Sequence, residues 1–102
     1  MIETQKSISE WGVKTFGYPT TLKVIVGRML KEVKELEELG TGIDVRNQEK
    51  IADECADIYI VMCQVMNTLG YDLGACVDHK MQINRARKWK IAGDGTGQHI
   101  KE

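Results

Sequence analysis

The run Ile58-Tyr59-Ile60-Val61-Met62-Cys63-Gln64-Val65-Met66 constrains this chain more than any other segment, because only Gln64 in it is polar. It lies inside a helical pattern that starts near the cap candidate Asn47 and stops at Gly70. A helix apolar on nearly every side must be covered on nearly every side. Three further helical patterns offer that cover. Residues 5–16 read as a short helix fraying at Gly17, with Pro19 marking the break. A second helix begins near Thr20 or Thr21 and ends at Leu39-Gly40, where Gly40 suits the C′ position. It repeats Leu22, Val26, Met29, Val33 and Leu36 at spacings of four and three, a bundle seam. The turn Thr41–Arg46 leads into the third helix, and a fourth runs from around Asp72 to about Trp89 or Lys90. No segment shows convincing strand alternation, and the tail Gly93-Asp94-Gly95-Thr96-Gly97 cannot hold a helix.

The expectation is an all-α antiparallel helical bundle, one domain over residues 1–102 with a flexible Gly-rich tail at about 91–102. A chain of 102 residues has too little of its own surface to cover the third helix. A homo-oligomer, dimer or tetramer, is therefore expected.

Charge narrows the function. Fourteen basic side chains face fifteen acidic ones, a net charge of −1, which argues against binding a nucleic-acid polymer by bulk electrostatics. No stretch approaches the ~20 apolar residues of a membrane span, and the opening MIETQKSISEWG lacks a signal-peptide layout. A cytoplasmic protein without membrane attachment is expected. Cys55, Cys63 and Cys76 form no C-x-x-C pair. Cys55 and Cys76 fall on apolar helical stripes, where a thiol acts as a small hydrophobe. His79 and His99 are too far apart to suggest a zinc site.

Four acids stand out by position. Each residue advances about 100° around a helix axis. With Val33 as zero, the apolar stripe of helix two extends from about −120° (Leu39) through −80° (Ile25) to +60° (Leu30). Glu32 falls inside it near −100°, and Glu35 at its edge near −160°. With Cys55 as zero on helix three, Glu54 falls near −100° between Val61 and Val65, and Asp57 near −160°. Packing the two helices on these seams can bring all four carboxylates together. Charged acids among apolar neighbours are costly unless paired or bound to metal, and four together need cations or shared protons. Oxygen-only ligands favour Mg²⁺ or Mn²⁺. A ferritin-like di-iron site would want Glu-x-x-His, and neither pair has it. The competing explanation is a solvated acidic face, since Glu37 and Glu38 also crowd helix two.

Helix four carries the complementary charge. Lys80, Asn84 and Arg87 share a stripe with Leu73, Cys76 and Val77 that turns from apolar to cationic along its length. Lys50 points into the acid sector of helix three, and its i, i+4 spacing equally suits an ion pair with Glu54. Trp11, Phe16 and Tyr18 gather before helix two, either to stack on a base or to cover an edge of the core. The Gly-rich tail follows no strand and carries no Lys-Ser/Thr pair, so a Walker phosphate loop is absent.

The pattern Glu32-x-x-Glu35, eighteen residues, Glu54-x-x-Asp57 resembles the signature of the MazG-like all-α nucleoside triphosphate pyrophosphohydrolases. Leu69-Gly70-Tyr71-Asp72-Leu73 and Lys80-x-x-x-Asn84-x-x-Arg87 continue the match. The flanks at residues 8–17 and 80–100 are similar to phage and bacterial dATP/dGTP pyrophosphohydrolase domains. Lys31 departs from the pattern, since many relatives have a second acid there.

The resemblance implies hydrolysis of a purine deoxynucleoside triphosphate, dGTP or dATP, to monophosphate and pyrophosphate. The purpose would be nucleotide-pool control or modified-purine synthesis, in the host cytoplasm if phage-encoded. It implies Mg²⁺ or Mn²⁺ held by Glu32, Glu35, Glu54 and Asp57 as the catalytic and metal-binding acids. Lys50, Lys80, Asn84 and Arg87 would bind substrate. The alternative is a non-catalytic helical oligomerisation or interaction module whose acid pairs are surface features.

Overall fold

The structure is a computed structural model and describes residues 2–39 and 47–101. Four helices form: α1 (Gln5–Phe16), α2 (Leu22–Glu37), α3 (Gln48–Leu69) and α4 (Leu73–Ala86). Side-chain caps fix three of their starts. Thr4 and Ser7 form a reciprocal capping box on α1, Thr21 accepts from the Val24 amide, and Asp72 accepts from the Ala75 amide. Asn47 behaves otherwise. It occupies the N-cap position of α3 without a capping bond, and its Nδ2 donates instead to the Leu39 carbonyl at 2.9 Å. That bond ties the end of the α2 region to the start of α3. The expected stop at Gly40 and the turn Thr41–Arg46 lie outside the described residues.

α3 packs chiefly on α2 and α1. Gln5 anchors the start of α1 to the turn after α3. Its Nε2 donates to the Tyr71 carbonyl at 2.7 Å, and its Oε1 accepts from the Leu73 amide at 2.6 Å. Gly70 closes α3 in the left-handed region at φ 78°, where a side chain would be strained. α4 then leaves α3 at 97°. No single described helix is long and apolar enough to cross a membrane.

Two expectations about this region change. α4 ends at Ala86, and residues 89–99 form an antiparallel hairpin of β1 (Trp89–Ile91) and β2 (Gly97–His99), so the chain is mostly helical but not all-α. Trp89 pairs with His99, Lys90 with Gln98 and Ile91 with Gly97. Gly93 and Gly95, both at φ 94°, turn the chain between the strands. Asp94 Oδ1 accepts from the Thr96 amide at 3.0 Å and hydroxyl at 2.7 Å. The glycines that prevent a helix are therefore the residues that make this turn.

The buried face of α2 also differs from its apolar seam. Ile25 and Glu32 are buried, with Met29 and Leu36 half-buried, whereas Leu22, Val26, Leu30 and Val33 face outward. On α3 the inner residues are Val61 and Cys63, while Tyr59 and Met62 are exposed. The buried thiol is thus Cys63. Cys55, expected on an apolar stripe, is exposed. α4 buries none of its residues. A folded monomer of 11.5 kDa exposes about 5,800 Å², yet this chain exposes 8535 Å². Its radius of gyration is 16.2 Å, where about 13 Å is usual for this length.

Candidate active site

The inner edges of α2 and α3 carry the acids. Glu32 is only 8% exposed, a buried charge on α2. Glu54 is half-buried and Asp57 exposed. Each of the three can offer a carboxylate oxygen such that all lie within 4.8 Å of one another. Glu35 is exposed and outside this trio, one turn further along α2, though its charge still acts on Glu54.

Glu54 is the least satisfied of the group. Its Oε2 is buried and has no hydrogen-bond partner. Its pKa is raised, first by burial, then by the charges of Glu35, Asp57, Glu32 and Asp53. A buried acceptor without a donor, among like charges, fits a divalent cation better than a solvated acidic face does. The all-oxygen donor set suits a hard ion.

Arg28, which the sequence reading did not single out, bonds Glu32 through Nε–Oε1 at 3.3 Å. The i, i+4 spacing was available as a signal. Lys50, one turn before Glu54, forms no such pair with it among the described residues and is exposed.

A cavity of about 540 Å³ opens beside the acids. Glu32, Asp57 and Arg28 line it at one side, with Trp11, Phe16, Tyr18 and Gln64 among its other walls. Trp11 and Phe16 meet edge to face, ring centres 5.5 Å apart. Lys80, Asn84 and Arg87 do not line this cavity. Lys80 is exposed, and Asn84 and Arg87 are half-buried at the hairpin end of α4. There the Trp89 indole donates to the Asn84 carbonyl at 2.9 Å.

Acids from two packed helices thus converge beside a cavity, an arrangement that can hold a divalent cation next to a bound ligand. No protein-family model matches the sequence. The chain is 37% identical over 98 residues to a dATP/dGTP diphosphohydrolase of Salmonella phage PMBT28, a match covering 96% of this chain and 31% of that protein. It is 36% identical over 67 residues to a dATP/dGTP diphosphohydrolase of Cyanophage S-2L, covering 66% of this chain and 63% of that one. The chain thus spans under a third of the first relative's length and under two thirds of the second's.

A solved structure shares the fold with a TM-score of 0.73 at 26% identity, over 96% of this chain and 90% of that one. It is the Cyanophage S-2L MazG-like pyrophosphohydrolase bound to dGDP and three catalytic Mn²⁺ ions per active site. The chain belongs to the MazG-like pyrophosphohydrolases, as a homologue of the phage dATP/dGTP diphosphohydrolases.

Proposed function

We propose that the protein hydrolyses a purine deoxynucleoside triphosphate, dGTP or dATP, to the monophosphate and pyrophosphate. The observation that carries this reading is the convergence of Glu32, Glu54 and Asp57, with Glu54 Oε2 left without a donor, where Glu32 and Asp57 line the cavity. Glu32, Glu54 and Asp57, with Glu35 adding charge, would hold Mg²⁺ or Mn²⁺. Bound divalent ions neutralise phosphate oxygens and lower the pKa of a coordinated water. The chain's own part is to fix these acids. α2 and α3 set their spacing, and Arg28 restrains the Glu32 carboxylate. The cavity wall on the α1 side receives the nucleoside and keeps its base away from the acids. The cell would use the reaction for nucleotide-pool control or modified-purine synthesis.

Lys80, Asn84 and Arg87 are assigned to phosphate or sugar binding, and Lys50 to the acid side of the site. Because α4 lies off the cavity of its own chain, the assignment needs a second copy to bring an α4 to it. The surface supports a homo-oligomer. The excess of roughly 2,700 Å² over a compact monomer exceeds what one partner contributes to a standard interface, about 800 Å². Val33, Tyr59, Met62, Val77 and Met81 lie on the uncovered faces.

Product chromatography with Mn²⁺ or Mg²⁺ tests the reading. Monophosphate plus pyrophosphate is expected. Diphosphate plus orthophosphate, or no turnover of any deoxynucleoside triphosphate, would reject it, the second outcome favouring the interaction module.

A further inference from the structure

Gln64 is the one polar residue in the apolar run of α3, and the cavity explains its presence. It lies seven residues beyond Asp57 on the stripe of α3 that lines the cavity, about 10 Å along the axis. That span is comparable to the reach from the α-phosphorus of a nucleotide to the far edge of its base. Gln64 is half-buried, and among the described residues no hydrogen bond engages its side-chain amide. Its backbone carbonyl accepts from the Thr68 hydroxyl at 2.9 Å.

α1 holds that amide in place. Ser9 is 2% exposed, and its hydroxyl donates to the Cys63 carbonyl at 3.2 Å. One turn on, Gly12 is buried against Gln64. A Cβ at Gly12 would collide with Gln64 Nε2 and lie 3.1 Å from Cδ and 3.2 Å from Cγ. The small face of α1 thus lets the helix close on the Gln64 amide, and Gln64 lines the cavity walled by Trp11 and Phe16.

We propose that Gln64 reads the base of the nucleotide, and that Gly12 is the positioning residue that fixes its amide. The proposal rests on the hydrolase reading above. A carboxamide presents one acceptor and one donating NH₂. With adenine, Oε1 accepts from N6–H while Nε2 donates to N1. With guanine, Oε1 accepts from N1–H while Nε2 donates to O6. The same side chain therefore serves both purines. A carboxylate in its place only accepts. It pairs with N1–H and N2–H of guanine and opposes the N1 lone pair of adenine.

The test is an equimolar mixture of dGTP and dATP with Mn²⁺, comparing parent, Gln64→Glu and Gly12→Ala. Gln64→Glu should move the dGMP to dAMP ratio toward guanine by about tenfold or more, the scale of one bidentate base contact. Gly12→Ala, which displaces the amide without changing its chemistry, should raise KM for both nucleotides and leave kcat within about twofold of the parent. A ratio in Gln64→Glu within twofold of the parent would overturn the proposal. Where a variant turns over neither nucleotide, the ratio is read from thermal stabilisation by dGTP and by dATP separately, and unchanged relative shifts overturn it equally. A parent that converts no deoxynucleotide rejects the hydrolase reading itself, which separates the two failures.

Discussion

α2 and α3 bring Glu32, Glu54 and Asp57 together with Glu32 buried, while α4 buries none of its residues and leaves Lys80 exposed. The first pair is held by one chain: Ile25 and Glu32 of α2 and Val61 of α3 are buried where the two helices pack. The second region, α4 with its hairpin, is tied to the body by the Gln5 clamp at one end, while the Trp89–Asn84 bond at the other stays within the region. The contrast teaches where one chain suffices. The acid half of the site has its geometry without a partner. The residues proposed to bind substrate, Lys80, Asn84 and Arg87, lie off the cavity of their own chain.

The largest expected effect falls in the acid half. Asp57→Asn should abolish turnover with every nucleotide, since it removes a ligand charge and keeps the side chain's shape. The fold should survive because Asp57 is exposed. Steady-state kinetics beside circular dichroism decides this. Turnover within tenfold of the parent would move the reacting centre away from the α2–α3 edge.

The cationic half predicts a graded loss. Lys80→Ala, Asn84→Ala and Arg87→Ala should each weaken nucleotide affinity about ten- to a hundredfold, as expected for charge-assisted bonds of roughly 1.5–3 kcal/mol. Mixing sharpens the comparison. An Asp57→Asn chain combined with a Lys80→Ala chain should recover activity if α4 serves a neighbour's cavity. No gain over the two variants measured separately, at a nucleotide concentration where Lys80→Ala is impaired, would mean that α4 serves its own chain. Light scattering showing a stable monomer at micromolar concentration would exclude the shared site.

How far the sequence reaches follows the same division. The acid angles were legible because a 100° step per residue needs no tertiary information, and Glu32, placed inside the apolar stripe, is buried. Which half of the broad α2 stripe meets α3 was not legible. The pattern centres on Val33, yet the chain buries the Ile25–Glu32 side and leaves Val33 43% exposed. Periodicity reports that a face is apolar, not which neighbour covers it. The hairpin escaped because three-residue strands are too short to show alternation, and its Gly93-Asp94-Gly95 turn reads equally as a disordered tail. The Gly12–Gln64 contact joins residues far apart in the chain, so no local pattern announces it.

A smaller effect concerns stability without metal. Glu54 is held above the ordinary carboxylate range by burial and by the acids around it. The native state therefore binds its proton more tightly than the unfolded state does. The stability from this group is complete below the unfolded pKa and is lost as pH rises through the raised native value. Glu54→Gln should accordingly raise the metal-free Tm near neutral pH while removing the stabilisation that added Mn²⁺ gives the parent. Differential scanning fluorimetry with and without Mn²⁺ reads both. A Tm that falls in the metal-free variant would show that Glu54 is a structural partner rather than an uncompensated charge.

The smallest effect belongs to the tip of the arm. Asp94 is an exposed acid whose pKa is lowered by the Thr96 hydroxyl and amide. Its contribution is present above the ordinary carboxylate pKa and lost as pH falls through the lowered native value. Asp94→Ala removes the acceptor at every pH. If the arm folds apart from the body, the loss stays local. Hydrogen exchange should quicken at the Ala92 and Ile100 amides, which donate to the Thr96 and Lys88 carbonyls at 2.9 Å each. Exchange at Ile25 and Val61 should stay as it is, because the hydrogen bonds around Asp94 lie within residues 88–100. Faster exchange at all four positions would mean that arm and body unfold as one unit, and the division between them would then describe their packing but not their stability.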